Sequence, residues 1–245
     1  MPGTIKRINT WSSPRNVSTA LMYAFAQRKD TQVFDEPLYA HYLSSTGSRV
    51  LHPGADEIIS SQEQDGEKVV RQTLLGGYDK PIVFFKQMAH HLIRLDEGFL
   101  LEMDNVLLIR DPGAIIHSYN KVIPNPSMED IGIQKMYSLF KFLSGQGKLA
   151  AVVDSRELLT DPPSVLRQLC QQLAIPFDEA MLSWLPGARP EDGVWARYWY
   201  SRVHQSSGFE PYQEHSFELP PRLQALASKC RPYYEKLYEA AIKAD

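Results

Sequence analysis

Short apolar runs bounded by breaker residues, near Ile5–Trp11, Gln32–Asp35, Ile82–Gln87, Val106–Arg110 and Leu149–Asp154, alternate with stretches of helical period. The helical stretches fall at Ser18–Arg28, Ala55–Leu75, Pro112–Lys121, Ile131–Leu143 and Pro163–Leu173, and the tail Arg222–Ile242 reads as an amphipathic closing helix. That alternation leaves little choice of architecture. Strands joined through helices lie parallel, and a parallel sheet is covered on both faces. The expected fold is α/β, a three-layer arrangement with a central parallel sheet of about five strands flanked by helices. Ligands of such sheets bind beyond the carboxyl ends of the strands, so the residues that follow each strand are the ones to inspect.

The 245 residues suit one such domain, taken as 1–245. Pro186–Pro221, which holds five of the 17 prolines, reads as an ordered loop excursion rather than a second domain. With 43% hydrophobic and 22% charged residues and a net charge of -3, the chain suits neither disorder nor broad binding to nucleic acid or an anionic membrane. An anionic ligand must therefore meet a local basic site. The opening MPGTIKRINTW lacks an apolar signal core, and no run approaches the ~18 apolar residues of a membrane helix, so a soluble, cytoplasmic protein is expected. Cys170 and Cys230 form neither a metal spacing nor a disulfide framework, and no metal is expected.

After the first strand comes Ser12-Ser13-Pro14-Arg15-Asn16-Val17-Ser18-Thr19, with two hydroxyls at a helix start, where backbone N–H groups and the dipole favour a phosphate. A nucleotide triphosphatase would carry G-x-x-x-x-G-K-[ST] here. This loop has no glycine and no lysine; it offers Arg15, a permanent planar cation that can grip phosphate by two prongs but cannot act as an acid. An N-capped helix beside a surface arginine is the plainer alternative. After the fourth strand, LLIRDPGAIIHSYNK places Arg110 at the strand end, Pro112 at a helix start and Ser118 eight residues beyond Arg110. Arg110 and Ser118 could share one phosphate, or Arg110 could simply pair with Asp111 at the surface.

The Pro14-Arg15-x-x-Ser18-Thr19 loop, Arg110-Asp111-Pro112 with Ser118, and the segment AVVDSRELLTDPPSVLRQLCQQLAIPFDEAML in that order resemble the sulfotransferases that use 3′-phosphoadenosine 5′-phosphosulfate (PAPS). The resemblance implies a P-loop NTPase-like fold, PAPS as cosubstrate, 3′-phosphoadenosine 5′-phosphate (PAP) as product, and a hydroxyl or amine of a small molecule as acceptor. It assigns the 5′-phosphosulfate to the loop Pro14, Arg15, Asn16, Val17, Ser18 and Thr19, and the 3′-phosphate to Arg110 and Ser118. Arg15 and Val17 stand where the commonest family loop has lysine and glycine, and only glycine freely takes positive φ, so Val17 puts the backbone path of the loop in question.

Sulfuryl transfer resembles phosphoryl transfer, with in-line attack and charge building on the leaving phosphate, so positioning and cations carry most of the catalysis. Arg15 is the candidate for that charge. Lys86 could place a second cation on the sulfuryl oxygens, or reach solvent from its strand end. The acceptor also needs a base. Family members use either a glutamate near Glu36 or a histidine in a Lys-Thr-His triplet; aligning that lysine with Lys86 puts Met88 in the histidine's place, with His90 and His91 beyond it, and the mismatch favours Glu36. A partly buried carboxylate would serve near neutral pH. Gly193-x-Trp195-x-x-Tyr198 resembles a late family segment that closes over the nucleotide, where Trp195, Arg197, Arg202 and His204 suit stacking on adenine and pairing with phosphate. Trp199 and Tyr200 read as a packed aromatic cluster. The acceptor pocket is expected from Glu36–Tyr42, the surroundings of His90, and Ile123–Met136. Two alternatives stay open: a P-loop kinase or nucleotide hydrolase, disfavoured by the missing G-K-[ST], and an inactive PAPS-binding module, for which Val17 and Met88 speak. The sequence is compatible with a homodimer without deciding it.

Overall fold

A computed structural model of the chain describes residues 5–46, 52–214 and 218–245. Its strands are β1 (Lys6–Ser12), β2 (Thr31–Asp35), β3 (Ile82–Met88), β4 (Asp104–Ile109), β5 (Leu149–Asp154) and β6 (Ala241–Ile242). They form one sheet in the order β2-β3-β1-β4-β5-β6, with every neighbouring pair parallel. The five expected strands lie within two residues of their apolar runs. The short β6 is additional, because the closing helix stops at Glu239 and the buried Ala241 and Ile242 pair with Val152 and Val153. Two residues of edge pairing carry no periodicity that a sequence could show.

The helices are α1 (Ser18–Ala26), α2 (Tyr39–Ser45), α3 (Ala55–Ser61), α4 (Gly66–Val69), α5 (Pro112–Tyr119), α6 (Met128–Ile131), α7 (Ile133–Gly145), α8 (Ser155–Thr160), α9 (Pro162–Gln172), α10 (Ala196–Trp199) and α11 (Pro221–Glu239). One continuous helix was expected over Ala55–Leu75. It is broken: Gln62 is extended, and a new turn starts at Asp65, whose carboxylate accepts from Lys68 N–H at 3.1 Å, before the chain widens into a π-helical turn over Val70–Leu74. The helix expected to begin at Ile131 is likewise interrupted at Gly132, which takes φ 71° between α6 and α7.

Hydrophobic side chains point to both faces of the central strands, and each face has its own core. α1 and α9 cover one face, packing on Ile8, Phe84, Val106, Leu108 and Val153; α5, α7 and α11 cover the other, on Trp11, Phe85, Leu107 and Val152. The chain leaves β1 for the edge strand β2, returns to β3 beside β1, then crosses to β4 on the opposite side of β1. Loops after β1, β3 and β4 therefore part around one crevice at the carboxyl edge of the sheet.

Candidate functional site

The loop between β1 and α1 is tied down by its own side chains. Asn16 Oδ1 accepts from Val17 N–H at 2.8 Å, and Asn16 Nδ2 donates to the Leu108 carbonyl at 2.9 Å. Val17 has φ -86°, so a valine in place of glycine costs the loop nothing; the left-handed residue is Arg15, at φ 56°. The capped-helix reading is not met, since no side chain caps α1. Leu21 N–H is the first to find its helical carbonyl, Val17 O at 3.0 Å, which leaves the N–H groups before it directed out of the helix start, where an anion is favoured.

Arg15, Arg110 and Ser118 converge here. Arg15 Nε donates to Ser118 Oγ at 3.1 Å, one Arg15 N–H reaches the Trp199 carbonyl at 3.4 Å, and the guanidinium lies 5.7 Å from the Trp199 ring centre. Arg110 donates to the Arg15 carbonyl at 2.5 Å. Burial lowers the pKa of both arginines, yet guanidinium stays charged in proteins. The surface pair Arg110–Asp111 does not form: Asp111 caps α5 through Ala114 N–H at 3.0 Å and pairs with Arg231 at 2.7 Å.

The opposite wall grows from the ends of β2 and β3. Glu36 also has a left-handed backbone, φ 43°, held by its N–H on the Lys86 carbonyl at 2.8 Å and by Gln62 Nε2 on its own carbonyl at 3.1 Å. Lys86 Nζ contacts Glu36 Oε1 and lies 2.7 Å from both Asp35 Oδ1 and the Tyr200 hydroxyl. The reading of Lys86 as a solvent-reaching lysine is thus overturned: it is 1% exposed and its three N–H groups are taken. It reaches a further oxygen only by exchanging one of these bonds. Burial pushes Glu36 up to about 7, with Asp35 adding to the shift and Lys86 opposing it. Glu36 Oε2 stands 3.8 Å from His91 Nδ1, beyond hydrogen-bond reach.

His90 and His91 are buried, and burial lowers their pKa, to about 3 for His90, so both imidazoles are neutral at physiological pH. Their Nδ1 atoms find no hydrogen-bond partner among the described residues. His91 stacks on Tyr39 and Tyr42 at 4.5 and 4.7 Å, and Tyr39 bonds His52 Nδ1 at 2.7 Å.

Both walls line one cavity of about 290 Å³. Of the expected residues, Pro14 to Thr19, Glu36, Lys86, His90, Arg110, Ser118, Trp195 and Arg202 border it. Arg202 is engaged with Glu210 at 2.5 Å. Arg197 is not brought in; it pairs with Glu57 and lies over the Tyr198 ring on the outer surface. The stretch Ile123–Met136, expected to shape the acceptor side, does not border the cavity, whereas His52 and Tyr119 do. Sequence reasoning also missed Asp35, Tyr200, Ser155 and the strip Gly208–Gln213. Asp35 stands beside Glu36 in the chain, and that adjacency was its one available signal. Among the described residues no group of three or more His, Cys, Asp or Glu could hold a metal ion, and no helix is long and apolar enough to cross a membrane.

Residues 6–240 match the family described as the sulfotransferase domain. The chain is 41% identical over 231 residues to branched-chain-amino-acid aminotransferase-like protein 2 of Arabidopsis thaliana, which covers 94% of this chain and 41% of that protein. It thus spans about two-fifths of the length of the curated relatives it matches. Among solved structures, the sulfotransferase from Alicyclobacillus acidocaldarius superposes with a TM-score of 0.55 at 12% identity, covering 98% of both chains. The sulfotransferase domain from the curacin biosynthetic pathway gives 0.51 at 17% identity, covering 93% of this chain and 98% of that one. These two likenesses show a shared three-layer fold.

Proposed function

The chain belongs to the sulfotransferase family, and on that premise we propose that it moves a sulfuryl group from PAPS to a hydroxyl or amine of a small acceptor, as a single cytoplasmic domain. One observation carries the proposal: a cationic, anion-favouring helix start and a carboxylate raised toward neutrality open onto the same 290 Å³ cavity. In this reading Arg15, Asn16, Ser18, Thr19 and the start of α1 hold the phosphosulfate, and Arg110 with Ser118 holds the 3′-phosphate. Arg15 offsets the charge that gathers on the leaving phosphate without giving up a proton. As the acceptor atom bonds to sulfur, the bridging S–O bond breaks and its electron pair stays on the departing 5′-phosphate. The acceptor's proton passes to Glu36, whose Oε1 is already held by Lys86, so Oε2 is the receiving atom. Family membership and the absence of G-K-[ST] speak against the kinase alternative.

Isothermal titration without magnesium, with PAP beside ATP, tests the donor. Tight PAP binding that is lost in Arg110→Ala is expected; binding of ATP alone, strengthened by magnesium, would overturn the proposal. A protein that binds PAP yet transfers nothing to any acceptor in a broad screen would instead be the inactive module.

A further inference from the structure

The ammonium that faces Glu36 is shared. Lys86 Nζ is divided among Glu36, Asp35 and the Tyr200 hydroxyl. Asp35 holds its share firmly: the Tyr200 hydroxyl lies 2.9 and 2.7 Å from its two oxygens, and Gly193 N–H donates to Oδ2 at 3.1 Å. Trp195 Nε1 donates in turn to the Tyr200 oxygen at 3.1 Å, so the excursion after Pro186 locks this cluster from above the sheet. Two carboxylates around one ammonium cannot both be neutralised by it. Asp35 receives hydrogen bonds from three groups, whereas Glu36 receives them from Lys86.

Resting on the reading of Glu36 as the base, we propose that Asp35 is a positioning residue: by holding Lys86 together with Tyr200 it denies Glu36 a full ion pair and leaves Glu36 Oε2 able to take the acceptor's proton. The groups that face Glu36 are Asp35 at the end of β2, Lys86 at the end of β3, His91 in the turn that follows, Tyr39 on α2, Tyr119 on α5 and Tyr200 beyond α10. Burial keeps His91 neutral and pushes the three phenols up, so Asp35 and Lys86 are the charges that act on Glu36. Asp35 raises its proton affinity and Lys86 lowers it.

Asp35→Asn keeps the shape and removes the charge. Lys86 then pairs with Glu36 alone, and the proton affinity of Glu36 falls. The ¹³C carboxyl signal of Glu36 in selectively labelled protein, assigned by its disappearance in Glu36→Gln, is expected to titrate at least about one pH unit lower in Asp35→Asn than in the unsubstituted protein. PAP binding, measured alongside, reports that the variant is folded. Titration at the same pH in both proteins would overturn the proposal. Should Asp35→Asn fail to fold, Asp35→Ser removes the same charge with a smaller side chain: the Glu36 signal is again expected at lower pH than in the unsubstituted protein, and an unchanged titration there sinks the role of Asp35. The carboxyl signal does not depend on turnover, so failure of the base reading shows separately, as PAPS turnover that survives in Glu36→Gln.

Discussion

Arg15 and Glu36 are two non-glycine residues with left-handed backbones, and each stands on one wall of the cavity. Such conformations cost on the order of 1–3 kcal/mol and persist where surrounding bonds over-determine them, here the Arg110 contact to the Arg15 carbonyl and the Lys86 and Gln62 contacts to Glu36. Glu36→Gln is expected to retain PAP binding while kcat falls by roughly 10²–10⁴-fold; calorimetry beside a sulfuryl-transfer assay checks it, and unchanged turnover would remove Glu36 from the chemistry. A base must be unprotonated to act, so kcat/KM should rise with pH and level off above about 7. Stability runs the opposite way. A folded pKa raised above the ordinary value stabilises at low pH and loses that contribution as pH climbs from about 4.5 to about 7, so Glu36→Gln should gain stability relative to the unsubstituted protein across that window in urea denaturation. Gly193 is required by close approach: a Cβ there would meet the Trp195 ring at 2.2 Å. Gly193→Ala should cost roughly 1–3 kcal/mol, read by the same denaturation, because Trp195 is buried and must shift.

At the scale of elements, the pieces that aim the site are helix starts. α5 begins at Pro112 with Asp111 as its cap, which sets the turn on which Ser118 meets Arg15. Asp111→Ala should lower stability by about 1 kcal/mol in thermal or chemical denaturation and weaken PAP binding measurably, since it loosens the helix that presents Ser118. An unchanged PAP affinity would separate the cap from the site. The local signals at such starts were legible: Pro112 opens α5 as expected, α9 opens at Pro162, one residue before its expected start, and β1 to β5 lie within two residues of their apolar runs. Less legible was the interruption between α3 and α4, because the polar stretch from Gln62 to Asp65 carries enough helix formers to continue the period on paper. Tertiary packing of α2 on α3 and the Gln62 contacts to Glu36 and Ala40 decide the break instead.

Across the whole molecule, a ligand that binds the folded crevice and not the unfolded chain should stabilise the fold. PAP at one hundred times its Kd is expected to add about 2.7 kcal/mol, seen as a rise in Tm that Arg110→Ala abolishes. By itself the sequence determined the alternation of strands and helices, hence the parallel three-layer fold, and it drew attention to the loops after β1 and β4 through residues close together in the chain. Periodicity and turn chemistry are local, and each such segment announces them alone. Only the tertiary structure decided that Asp35, Lys86 and Tyr200 meet, that Arg15 rather than Val17 takes the left-handed turn, and that Arg197 faces away. Their convergence depends on strand order and on the path of the excursion after Pro186, which joins residues more than a hundred positions apart and leaves no periodic trace in the chain.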